Sequence, residues 1–141
     1  MRNVPALFSP VLTLALPAAA MAEDAVDASR QVIQRQIEAF LKEDAAAAYA
    51  FAAPAIQARY PDKDVFFDMV RKSYQPVYKP GNYAFGRSLT LNGGETVLHE
   101  VLIEGRDGKD WKAIYQLLRQ PDGTYRIGGV MMAPETESKG I

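Results

Sequence analysis

The chain has 141 residues, with 16 Lys and Arg against 17 Asp and Glu, one histidine and no cysteine. That length closes one hydrophobic core and not two. The near-neutral balance excludes a protein whose affinity rests on clustered cations meeting nucleic-acid phosphates, and the missing cysteines exclude disulfides, thiol nucleophiles, thiolate metal sites and a lipid-anchored terminus.

Residues 1–22 read as a secretory signal peptide. Arg2 supplies the positive start, residues 6–16 a mostly apolar run, Pro17 a helix break and Ala20-Met21-Ala22 a small-residue cleavage site. Cleavage after Ala22 makes Glu23 the first mature residue and removes one cation, leaving 15 Lys and Arg against 17 Asp and Glu, a formal charge of −2. The apolar run is shorter than the ~20 residues of a spanning helix and is interrupted by Pro10 and Pro17. No membrane span is therefore expected after cleavage, and the mature chain is expected in the periplasm or outside the cell.

Ser29 is placed to cap a first helix, in which Ile33, Ile37, Phe40 and Leu41 share one face and which ends near Glu43. Asp44 can cap a second, Ala-rich helix, since its carboxylate can accept free N–H groups of the turn beginning at Ala45; Pro54 marks its end. A third helix follows Pro61-Asp62, with Phe66, Met69, Val70 and Ser73 on one face. Pro76 and Pro80 then impose an extended passage through Val77 and Tyr78.

From Tyr83 the helical period gives way to alternation. Turn residues recur at Asn92-Gly93-Gly94, Asp107-Gly108 and Pro121-Asp122-Gly123, predicting antiparallel strands over 83–91, 95–106, 110–120 and 125–132. The reading is α+β: a single domain over 23–132, with three N-terminal helices packed on a curved four-stranded antiparallel meander, and a flexible polar tail over 133–141. In the second strand Val97, Val101 and Ile103 lie on one side with Leu98 and Leu102 on the other. Helices covering the first face and a second copy covering part of the other would account for both, so a homodimer is expected. A two-residue turn at Asp107-Gly108 would pair Arg106 with Lys109, setting His99 opposite Gln116 and Glu100 opposite Tyr115; one residue more or less would reverse every face relation.

Three helices before a bent four-strand meander resemble the nuclear-transport-factor-2-like fold, the cone-shaped, cystatin-like group that includes ketosteroid isomerases and polyketide cyclases. The segments Ile37-Glu38-Ala39-Phe40, Ala50-Phe51-Ala52-Ala53-Pro54-Ala55-Ile56-Gln57, Met69-Val70-Arg71-Lys72-Ser73-Tyr74-Gln75-Pro76-Val77-Tyr78 and Gln120-Pro121-Asp122-Gly123-Thr124-Tyr125-Arg126-Ile127-Gly128-Gly129 resemble the bacterial family labelled domain of unknown function 4864. The first resemblance implies a pocket in the mouth of the cone, lined by the first and third helices and the concave strand face. The second carries no chemistry, so an activity has to be argued from a site.

His99, the only histidine, stands in the apolar row of Val97, Val101 and Ile103, where an imidazole could transfer protons or simply be a half-buried strand residue bonded to a neighbour such as Gln116. One histidine without matched carboxylates makes no metal site. Ketosteroid isomerases, by resemblance, imply a base carboxylate with a donating tyrosine and a protonated acid; Glu100 and Tyr115 could fill two of these roles and no second acid is in place. Tyr74, Tyr78 and Trp111 could line a pocket for an amphipathic ligand or fill a curved sheet. Arg87, alternating with Phe85 and Leu89, would attract an anion if it faced inward and is otherwise a strand surface charge, while Gly128-Gly129 suggests a bulge.

Three functional classes follow. The first is an exported, non-catalytic domain that binds a small apolar or amphipathic molecule and needs no cofactor. The second is an isomerase- or cyclase-type enzyme using His99, and the third is an interaction module of the cell envelope. A cavity of ligand size, and the side His99 takes, separate them.

Overall fold

A computed structural model describes residues 17–135 together with Pro10 and Thr13, so most of the expected signal peptide and residues 136–141 of the expected tail lie outside the described residues. Helices come first: α1 Ala18–Leu41, α2 Ala45–Ala50, α3 Pro54–Arg59, α4 Lys63–Ser73 and α5 Gln75–Tyr78. The strands β1 Asn82–Leu91, β2 Thr96–Glu104, β3 Asp110–Arg119 and β4 Tyr125–Pro134 follow, with a 3₁₀ turn at Asn92–Gly94. Among the described residues no helix is long and apolar enough to cross a membrane.

Ser29 does not cap the first helix. Strong helix formers such as Ala and Met carry α1 back to Ala18, and Ser29 sits inside it, its hydroxyl 2.6 Å from the Ala25 carbonyl one turn back. At the other end Glu43 takes a left-handed φ of 55°; its N–H bonds the Phe40 carbonyl and the Asp44 N–H bonds that of Ala39. This pair of reversed bonds closes α1 and hands the chain directly to α2, because Asp44 then accepts the Ala47 N–H at 3.1 Å.

Two prolines act differently from expectation. Pro54 ends nothing by itself but occupies the first turn of α3, where its missing N–H costs no hydrogen bond. For the same reason Pro76 opens the short helix α5, which replaces the expected extended passage through Val77 and Tyr78. Among the described residues five α-helices therefore stand where three were expected.

The sheet is an antiparallel meander in the order β1-β2-β3-β4. Its central register differs by one residue from the two-residue-turn expectation: His99 pairs with Tyr115, and Glu100 with Ile114. The cause is the hairpin, in which Gly105 N–H bonds Lys109 O and Gly108 N–H bonds Gly105 O, leaving a three-residue loop with Gly108 at a φ of 78°. A two-residue type I′ turn would require Asp107 in the left-handed region as well, and Asp107 is not there. β4 runs on through Ala133 and Pro134, residues assigned above to the tail, and Glu135 N–H still bonds Asp110 O.

Alternation sorts the second strand as expected. Val97, His99, Val101 and Ile103 are buried, while Leu102 on the opposite face is 42% exposed. The buried row meets α1, whose Ile33, Ile37 and Phe40 are at most 1% exposed, in one core cluster. Each such large apolar side chain contributes about 1.5–3 kcal/mol on burial, which holds a helix that its weak caps would not. The linker between α2 and α3 joins the free edge of β4: Ile127 N–H bonds Phe51 O and Ala53 N–H bonds Ile127 O, both at 2.8 Å.

Candidate functional site

Anchoring that linker to β4 leaves a gap above the sheet. Between α1, α3, α4 and β4 lies a cavity of about 230 Å³ whose walls include Phe40, Ile56, Phe66, Met69 and Val130. This exceeds the roughly 150 Å³ that holds a benzene ring and falls below the ~300–1,000 Å³ of drug-sized sites. Polar groups are few. Gln36 comes from α1, with its Nε2 donating to Ala48 O at 3.1 Å; Arg59 and Tyr60 come from the end of α3, and Tyr74 from the end of α4.

The floor of the cavity is shaped by a β-bulge. Gln116 pairs with Gly129 and Leu117 with Ile127, so Gly128 is an extra residue in β4. A Cβ on Gly128 would come within 2.5 Å of Leu118 Cδ1 and 2.9 Å of its Cγ, so glycine allows the strand to fold inward there. Both glycines line the cavity.

His99 stands elsewhere. It is 1% exposed, with Nε2 2.7 Å from Ser29 Oγ and its ring 6.1 Å from that of Phe85, which lies under the Arg30 guanidinium. The Ser29 proton is claimed most closely by Ala25 O at 2.6 Å, a group that can only accept, so the imidazole Nε2–H donates to Ser29. Burial, with the positive charge of Arg30 second, lowers the His99 pKa to about 4 and keeps the ring neutral. His99 is not among the residues lining the cavity.

The other acid–base candidates do not converge on it as a site. Tyr115 faces the core beside His99, fully buried, and its hydroxyl has no hydrogen-bond partner among the described residues; burial, then Tyr83, pushes its pKa up. Glu100 lies on the opposite face of the sheet. There it accepts the side-chain and backbone N–H groups of Arg87 at 2.9–3.0 Å, which hold its carboxyl at about 2, with Lys112 at 3.6 Å. Base, donor and acid are therefore divided between two faces.

The ligand-binding candidates divide as well. Tyr74 lines the cavity. Tyr78 is buried and donates to Glu43 Oε1 at 2.8 Å, which makes it a brace for the α1–α2 corner. Arg87 points outward, its side chain 86% exposed, and together with Trp111 borders an open groove at one end of the sheet. Trp111 is half-buried, and its Nε1 has no partner among the described residues. Among those residues no group of three or more His, Asp or Glu is placed to hold a metal ion.

Arg59, Gln36 and Ile56 were not singled out from the sequence. Reading Pro54 as a helix start would have placed Ile56 and Arg59 on a short helix three residues apart, on one face. No curated protein matches the chain. A family model does, over residues 22–140, and the chain accordingly belongs to the family described as Domain of unknown function (DUF4864).

Proposed function

We propose that this chain is an exported, non-catalytic module that binds a small apolar or amphipathic molecule in the cavity between α1, α3, α4 and β4. The observation that carries this reading is the cavity itself: it is of ligand size, mostly apolar, and holds a few polar groups. None of the acid–base candidates lines it, which favours binding over catalysis. Helices followed by a meander, with the cavity between them, support a nuclear-transport-factor-2-like cone. Export rests on the signal-like residues 1–22.

Native mass spectrometry of the protein, taken from the periplasm of its own host without refolding, tests the reading. A bound small mass that is lost in Ile56→Trp, which fills the cavity from α3, is the expected result. A bare protein in both forms counts against it.

A homodimer is the companion proposal. Among the described residues no helix covers the outer face of the sheet, which exposes Leu89 (54%), Leu102 (42%) and Met131 (72%). Arg87 and Lys112 pair with Glu100 and Glu135 on or beside that face, so it carries charges of both signs that a second copy can meet in complement. Sedimentation should give a dimer that Met131→Lys dissociates; a monomer at micromolar concentration would remove this proposal.

A further inference from the structure

The polar part of the cavity lining has a definite sign. Among the described residues that line it, Arg59 is the only charged one, and no Asp or Glu accompanies it. The guanidinium carbon lies 5.7 Å from the Tyr60 ring centre, so the flat cation rests over an aromatic face at the rim. Among the described residues no carboxylate is within ion-pair distance of Arg59, although Lys42, Lys63, Arg71, Lys72 and Lys79 each have one. Tyr60 and Tyr74 also line the cavity, their hydroxyls make no hydrogen bond to described residues, and the bulge takes Gly128 out of the ladder to β3. The lining thus combines one cation and several donors with an apolar chamber, and it offers no anionic counter-group.

From this we infer that the ligand is a compact monocarboxylate, its apolar body among Phe40, Ile56, Phe66 and Met69 and its carboxylate at Arg59 with Tyr60 and Tyr74. A guanidinium offers a carboxylate two parallel N–H donors, and one cation balances one negative charge. A dianion would leave a charge uncompensated beside apolar walls. The inference rests on the cavity being a ligand site, so its test separates the two.

Isothermal titration calorimetry would compare sodium phenylacetate with its neutral isostere phenylacetamide, and hexanoate with hexanamide so that ring shape does not decide the outcome. Each acid is expected to bind about tenfold more tightly than its amide, and Arg59→Gln to remove that preference by weakening the acid far more than the amide. Arg59 is exposed, so the variant keeps its fold, which circular dichroism checks. Equal binding of acid and amide, or a preference that survives Arg59→Gln, overturns the carboxylate assignment and leaves the cavity reading standing. Failure of all four compounds to bind overturns both.

Discussion

Acidification should loosen the clasp between α1 and the sheet before any carboxylate is protonated in number. His99 is the only histidine, so a change in stability between pH 7 and pH 5 can be assigned to it. Its ordinary pKa of about 6.5 applies in the unfolded chain, and burial lowers the folded value to about 4. Between these values the unfolded state binds a proton that the folded state refuses, so stability rises with pH and falls as pH drops. The loss amounts to about 2 kcal/mol by pH 5 and approaches about 3 kcal/mol near pH 4. The depressed carboxyls, Glu100 at about 2 with Glu43, Asp68 and Asp122 lowered, lose their contribution through a lower window, from their unfolded values near 4 downward. Urea unfolding at pH 7, 6 and 5 should show the midpoint dropping by about 1–2 M in total. In His99→Gln, whose amide can still donate to Ser29, the slope should vanish. A wild-type midpoint that is flat over this range, or an equal slope in the variant, would refute a neutral, buried His99.

Three further perturbations probe the frame around the cavity. Ser29→Ala leaves His99 Nε2 without its partner in the core and should lower stability by about 1–2 kcal/mol in thermal or urea unfolding, after the gain in helix propensity is allowed for. Gly128→Ala should cost about 1–3 kcal/mol, because its Cβ meets Leu118; Gly129→Ala, with only Gln116 Oε1 at 3.7 Å, should be nearly neutral. Asp44→Ala removes the cap of a helix only six residues long and should cost about 1 kcal/mol by the same measurement.

The strands were legible because alternation and glycine turns are local signals. β2 needs only its own sequence to show that Val97, His99, Val101 and Ile103 share a face, and the structure buries that row. The pairing of that row with β3 was not legible, since it turns on a single backbone choice at Asp107 and Gly108 that the same dipeptide permits in a two- or three-residue loop. Asp44 caps α2 as read, but the helix ends marked by Ser29, Pro54 and Pro76 were lost for a comparable reason: serine and proline are each compatible with two roles. Ser29 can cap a helix or bond back within one, and Pro54 and Pro76 can stop a helix or begin one. Tyr74 could be proposed for the cavity from its aromatic character. Arg59 could not, because its place at the rim depends on a short helix hidden behind a proline and on the bridge from Ala52 to Ile127.

The buried polar pair and the apolar cavity are linked through α1. Gln36 follows Ser29 by seven residues, two helical turns, and Phe40 follows by eleven, so all three lie on one face, with Gln36 about 10 Å and Phe40 about 17 Å from Ser29 along the axis. Apolar side chains of similar size tolerate small rotations and slides of a helix over a sheet, because burial is not directional. A hydrogen bond of 2.7 Å between Ser29 and His99 does not tolerate them, and neither partner can find water if it breaks. Holding Ser29 on β2 therefore sets the register of α1, and with it the position of Gln36 and Phe40 in the cavity wall. A buried neutral histidine, which adds little net stability, has a physical reason to be there: it makes the shape of the cavity unique. Disrupting it should widen the range of cavity shapes before it unfolds the chain, so Ser29→Ala should weaken binding of a compact ligand under conditions where the protein remains folded.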